Sequence, residues 1–184
     1  MTRWNIYLIC ASLFPLTICS GIIYSILSLF MANDLGASKT QIGVIFSVGS
    51  IGGAVAAPLV GKISDRVGSK SILLISMNLF FIVFLLYSLN QTLIGMYIIQ
   101  AIEGVAWATL GVSGVALITD SVPLERKGEA IGVYNMTWYF GWIIGPGLGG
   151  FLADIIGFRQ TFILCAILIL IGTLVTIKVL KKYK

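Results

Sequence analysis

Apolar and polar residues fall in long blocks along this chain rather than alternating at a helical or strand period. Residues 6–32, 42–60, 71–89, 104–119, 130–153 and 160–177 contain no Asp, Glu, Lys or Arg. Each block is close to the ~20 residues that cross a bilayer at ~1.5 Å rise per residue. The fourth extends back to Leu93 if Glu103 lies within it. The pattern predicts six transmembrane helices: an all-α membrane protein forming one six-helix unit over residues 1–184, with no soluble domain.

Composition agrees. The chain is 58% hydrophobic and 10% charged, against ~25% charged for a soluble domain. The first block is too long for a signal-peptide core and lacks a small-residue cleavage site, so it reads as a retained helix. Cys10, Cys19 and Cys165 sit inside apolar blocks at unrelated spacings. They read as small packing residues, and neither a metal site nor a disulfide is expected.

Charge adds an orientation. With six spans both termini share a side, and that side carries Arg3, Lys62, Arg66, Lys70, Arg126, Lys127, Lys178, Lys181, Lys182 and Lys184. The other side carries Lys39 and Arg159. The positive-inside rule then predicts cytoplasmic termini in a cell membrane. The net charge of +5 is a topology signal. Nucleic acid is not an expected partner, because the basic residues flank spans instead of forming one patch.

The chain also repeats itself. A shift of 89 residues lays Gly61, Asp65, Gly68 and Lys70 on Gly150, Asp154, Gly157 and Arg159. It lays Ile42, Gly43, Val44, Gly52 and Leu59 on Ile131, Gly132, Val133, Gly141 and Leu148; eight of 27 positions from 42 to 68 are identical without a gap. Helices 2–3 thus match helices 5–6, giving repeats of about 6–90 and 92–180. Three spans separate the copies, so they point oppositely across the bilayer. Such three-plus-three inverted repeats mark secondary transporters.

Four stretches carry a family resemblance. GKISDRVGSK (61–70) resembles the loop motif G-x-x-x-D-R-x-G-x-[KR] between helices 2 and 3 of the major facilitator superfamily. GWIIGPGLGG (141–150) is similar to the helix-5 motif of its antiporter branch, G-x-x-x-G-P-x-x-G-G. PLERKGEA (123–130), with Arg126, resembles the loop between helices 4 and 5. GFRQTF (157–162) resembles the start of helix 6, with Phe158 in place of the usual Trp. The match covers nearly the whole chain in order and implies the N-terminal six-helix half of a drug/proton antiporter-like transporter.

The resemblance implies a cytoplasmic latch. Gly61 and Gly68 would permit close backbone approach. Asp65 would sit at a helix N-terminus of an opposite half, where a carboxylate is favoured. Arg66 would pair with a carboxylate at the end of helix 4, here Asp120; Lys70 completes the motif. Gly141, Gly145 and Gly149 form one stripe on helix 5 that admits a neighbouring helix. Pro146 bends that helix, and Gly150 closes the motif. The energy source implied is a proton gradient, without a bound cofactor. No phosphate-cradling loop is present, so ATP drive is not expected.

Glu103 is the only acid inside an apolar block, and charge at membrane depth marks an ion or proton path. Gln100, Glu103, Gly104, Trp107, Gly111 and Gly114 share one face of helix 4. Many antiporters of the family carry Arg four residues before this glycine, and Gln100 stands there instead, leaving Glu103 as the proton candidate. Thr17, Ser20, Tyr24 and Ser28 form a polar stripe on helix 1, with Asn135 and Trp138 ahead of the glycines on helix 5. The candidates for substrate contact are therefore Gln100, Trp107, Thr17, Tyr24, Asn135 and Trp138. Each hydroxyl could instead bond its own backbone. Aromatics around one Glu suit an amphipathic or cationic small molecule.

Gly111-Val112-Ser113-Gly114 resembles the nucleophile motif of rhomboid intramembrane proteases. A serine nucleophile needs a base, and the chain has no histidine, so no enzyme is expected. A superfamily transporter places substrate between two six-helix halves. Three arrangements follow: one part of a twelve-helix transporter, a half that pairs with itself or another chain, or a non-transporting membrane partner.

Overall fold

The computed structural model describes residues 3–182. It contains α1 (Arg3–Asn33), α2 (Lys39–Val67), α3 (Ser69–Leu89), α4 (Leu93–Asp120), α5 (Lys127–Ile156) and α6 (Phe158–Lys182), with a short 3₁₀ turn at Leu124–Arg126. No strand occurs among the described residues, and all six helices are long and apolar enough to cross a membrane. Each charge-free block lies inside one helix.

The helices overrun their blocks, most clearly at GKISDRVGSK. Expected as a loop, this stretch is helical through Val67, and only Gly68 lies outside a helix. A helix keeps its backbone hydrogen-bonded on either side of the bilayer surface, so charge does not end it. Gly68 does, at φ 93° and ψ 141°, and its N–H donates to Ser64 O at 2.8 Å. Gly157 ends α5 in the same way, at φ 84° and ψ 164°, with its N–H on Ala153 O at 3.0 Å. Residues with a Cβ avoid this region. The role expected of Gly68, close approach, is thus corrected to backbone conformation. The α1/α2 and α3/α4 connections use side-chain caps. Ser38 and Gln41 form a capping box at the start of α2, and Thr92 Oγ1 accepts from Gly95 N at 3.0 Å.

The packing follows the repeat. α1 lies along α5 and α2 along α4, while α3 touches α4 and α6, and α6 also touches α1. Exchanging α1–α3 with α4–α6 maps this set of contacts onto itself. The core between them holds Phe30, Phe80, Phe84, Tyr87 and Phe162, all fully buried. α2 and α5 keep apolar outer faces, with Ile51, Val55 and Leu59 on one and Tyr139, Ile143 and Phe151 on the other.

Two seams bring backbones together. A Cβ on Gly104 of α4 would overlap the Gly49 carbonyl of α2. A Cβ on Gly145 of α5 would stand 2.7 Å from Ile18 O and 2.8 Å from Gly21 Cα of α1. The flanking Gly141 and Gly149 lie against Thr17 and Ile22, so the expected helix-5 stripe is the α1/α5 seam. Pro146 sits within it, and its carbonyl accepts from Ser25 Oγ at 3.5 Å.

Two expectations follow for thermal unfolding in mild detergent. Gly68→Ala and Gly157→Ala should each cost about 1–3 kcal/mol, the strain of a Cβ at these dihedrals. Gly145→Leu should lower the unfolding midpoint well below that of Gly147→Leu. Nothing lies within 4 Å of a Cβ at Gly147, so equal midpoints would show that the seam does not hold the bundle.

Candidate functional site

Glu103 lies near the middle of α4 and is buried to 1% exposure. A carboxyl at this depth needs donors, and they come from two helices. Tyr87 Oη of α3 donates to Glu103 Oε2 at 2.6 Å. Gln100 Nε2, one turn before Glu103, donates to the same Oε2 at 2.7 Å and to Tyr87 Oη at 2.6 Å. Glu103 Oε1 has no hydrogen-bond partner among the described residues. One oxygen is held and the other is buried without a partner.

The carboxyl lines a cavity of about 520 Å³ between α2 and α4. Tyr24, Phe46, Gln100, Gly104 and Trp107 line it with Glu103, and Gly49 and Gly53 form part of its wall. Tyr24 of α1 is the hub of the aromatic side. Its hydroxyl accepts from Trp107 Nε1 at 2.9 Å. Its ring lies 5.8–6.3 Å from those of Phe46, Trp107 and Trp142, on three other helices. Trp107 also meets Trp138 at 5.4 Å and Phe80 at 5.0 Å. This arrangement can hold a flat or bulky apolar body against rings while one carboxylate oxygen faces a proton or a positive charge.

Four of the substrate and proton candidates, Glu103, Gln100, Trp107 and Tyr24, therefore converge. Trp138 joins them by its contact with Trp107. Asn135 does not line this cavity; it lies with Trp138, Tyr139 and Trp142 in a separate groove of about 480 Å³ on α5. Thr17 is corrected to a packing residue. It is fully buried against Gly141, and its hydroxyl donates to Phe14 O at 2.9 Å. A hydroxyl in an apolar helix satisfies itself on its own backbone when no partner is nearer. Ser113 does likewise on Thr109 O at 2.6 Å.

The residues expected to form a latch lie elsewhere, at the end of the bundle formed by the α2/α3 and α4/α5 connections. Asp65, Arg66 and Asp120 are exposed, and Lys70 is half-buried. The expected Arg66–Asp120 pair is not made; no ion pair joins them. Gly61 and Gly150 have nothing within 4 Å of a Cβ, so the close approach expected at Gly61 is not made within these six helices. Arg126 pairs locally, gripping Glu129 with two bonds of 3.0 and 3.2 Å.

Two residues were missed in the sequence. Tyr87 sits in a block that reads as plain apolar, and the only signal was that a tyrosine hydroxyl inside lipid needs a partner. Arg159 stood out only as a basic residue on the sparsely charged side. Its Nη1 donates to Ser88 O at 2.8 Å and Asn90 O at 2.7 Å. Its Nε lies 3.7 Å from Asp34 Oδ2, and its guanidinium stands 5.2 Å from the Phe30 ring centroid.

Known proteins share this chain's sequence. The model of the Major Facilitator Superfamily matches residues 9–183. Multidrug resistance protein MdtG of Proteus mirabilis is 37% identical over 135 residues, covering 73% of this chain and 33% of its own. An uncharacterized MFS-type transporter of Methanocaldococcus jannaschii is 28% identical over 172 residues, covering 94% of this chain and 44% of its own. Multidrug resistance protein 1 of Bacillus subtilis is 27% identical over 150 residues, covering 82% and 38%. The chain thus spans less than half the length of these relatives. With its six spans and repeat-related packing, the chain belongs to the Major Facilitator Superfamily.

Proposed function

We propose that this chain supplies one six-helix half of a secondary active transporter that exports small molecules in exchange for protons. The observation that carries the reading is Glu103, a buried carboxyl with one oxygen held and one without a partner, set in an aromatic-lined cavity between helices. The superfamily consists of transporters, and relatives bear multidrug resistance names. Rings and one acid favour a lipophilic cation as the substrate class.

In this mechanism substrate and proton use the same unpartnered oxygen in turn. Substrate leaves when Glu103 takes a proton, and the carboxylate returns when the proton departs on the other side. Alternating access comes from rocking against a second six-helix half. The distribution of Lys and Arg supports cytoplasmic termini in a cell membrane. That orientation puts exposed Asp65 and Arg66 at the inner rim. There they act as a latch whose partners lie in the second half, contributed by the same polypeptide, a second copy or another chain.

The test uses tetraphenylphosphonium as probe, with quenching of Trp107 and Trp138 fluorescence as readout. Glu103→Gln should weaken binding by roughly 10- to 150-fold, the equivalent of about 1.5–3 kcal/mol for a charged contact. Unchanged affinity would sink the role given to Glu103.

A second expectation separates gate from site. Asp65→Asn should slow proton-driven flux in inverted vesicles while leaving probe affinity within about twofold, a change of roughly 0.4 kcal/mol. Flux at the wild-type rate would remove Asp65 from the mechanism. Size measurement in mild detergent should find this chain's residues in a particle holding two six-helix halves. A lone six-helix particle with no flux would favour the second reading, a non-transporting membrane partner.

A further inference from the structure

Arg159 and Glu103 lie on different helices, and a continuous set of contacts joins them. The guanidinium grips two carbonyls at the C-terminal end of α3, Ser88 O and Asn90 O. A helix leaves its last carbonyls without intrahelical donors, and one guanidinium nitrogen, Nη1, meets both with its two N–H groups. Tyr87 is the neighbour of Ser88 in that same turn. One turn beyond Arg159, Phe162 packs its ring on Tyr87 at 5.8 Å and on Phe30 at 5.1 Å. Phe30 is the ring beneath the guanidinium. The first turn of α6 thus fixes Tyr87 from two directions, through its backbone and through its ring.

Tyr87 has one polar task. Its hydroxyl donates to Glu103 Oε2 and accepts from Gln100, both at 2.6 Å. A hydroxyl tied this closely tolerates little displacement before either bond is lost. We infer that Arg159 is a positioning residue for Glu103. By gripping the last turn of α3 it holds Tyr87 against Oε2, and so keeps Oε1 as the oxygen left without a partner. If α3 frays at its end, Tyr87 withdraws, Glu103 is free to turn, and its two oxygens become equivalent. Asp34 plays a lesser part, since its contact with Arg159 is longer, at 3.7 Å, and both side chains are about one-third exposed.

This inference rests on Glu103 as the transport carboxyl, and the test keeps the two apart. Infrared difference spectra of the native protein in lipid would identify the Glu103 carboxyl and carboxylate bands as those that Glu103→Gln removes. Tyr87→Phe should shift these bands by deleting a hydrogen bond to Oε2. Arg159→Lys keeps the charge but ends one atom short of Nη1 and so draws its nitrogen back from the two carbonyls, and it should shift the same bands in the same direction. Asp34→Asn should leave them in place. Arg159→Gln, uncharged and shorter, carries the same expectation and serves if Arg159→Lys yields no folded protein. A merely structural Arg159 would lower the unfolding midpoint and leave the bands unmoved, which overturns the inference. Equal shifts in Asp34→Asn and Arg159→Lys would overturn it too, because charge at the rim would then be the cause. A Glu103 that shows only its carboxylate band at every pH would defeat the proton-carrier reading alone, since the carboxylate band reports its hydrogen bonds equally well.

Discussion

Inside a bilayer, apolar side chains gain nothing by leaving lipid for one another, so helices must be held by close fit and by satisfied polar groups. This bundle meets the first condition at two seams where backbone touches backbone, α1 on α5 and α2 on α4. Everything that bears on function is built around them. The α2/α4 seam sets Gly49 and Gly53 beside Gly104, and the cavity with Glu103 opens along that line. The α1/α5 seam carries Tyr24 and Trp142 on its two helices, so closing it also brings their rings together. A wider gap at either seam would separate the rings and the carboxyl from their neighbours.

The second condition is met unevenly. Hydroxyls such as Ser12, Ser20, Thr109 and Ser113 bond carbonyls of their own helix and ask nothing of their neighbours. The exceptions reach between helices. Tyr87 reaches Glu103, Trp107 reaches Tyr24, and Arg159 reaches α3. These long-range bonds draw α1, α3, α4 and α6 into one polar-aromatic system. Among the buried side-chain polar atoms of the described residues, Glu103 Oε1 alone has no partner. Burying a polar atom without a partner is costly, and such an atom beside a cavity points to a ligand more strongly than any of the satisfied groups do.

The sequence made the spans legible because charge is scarce in a membrane helix, and Glu103 legible because it breaks that scarcity. Gln100 and Trp107 followed from helical spacing. Helical spacing says which residues share a face but not which neighbour that face meets. Thr17 and Tyr24 share a stripe on α1, yet one packs under Gly141 and the other lines the cavity. Asn135 fell outside for the same reason. Arg66 and Asp120 were paired on the family resemblance, and both are exposed with no ion pair between them. Tyr87 comes from a different helix than Glu103, where no periodicity connects them. The matched glycines of the repeat were visible in sequence, but their shared positive φ at 68 and 157 was not.

Those two glycines constrain how far neighbouring helices can part. A link of one residue has no slack, so α2 and α3 cannot settle in the bilayer independently; the same holds for α5 and α6. Each pair is a hairpin with its turn at one end of the bundle. The polar ends of these long helices, among them Lys62, Asp65 and Asp154, then act as stops that keep the hairpins from sliding through. The finished bundle is therefore two single helices and two tight hairpins, with the same one-residue link at the same place in each repeat.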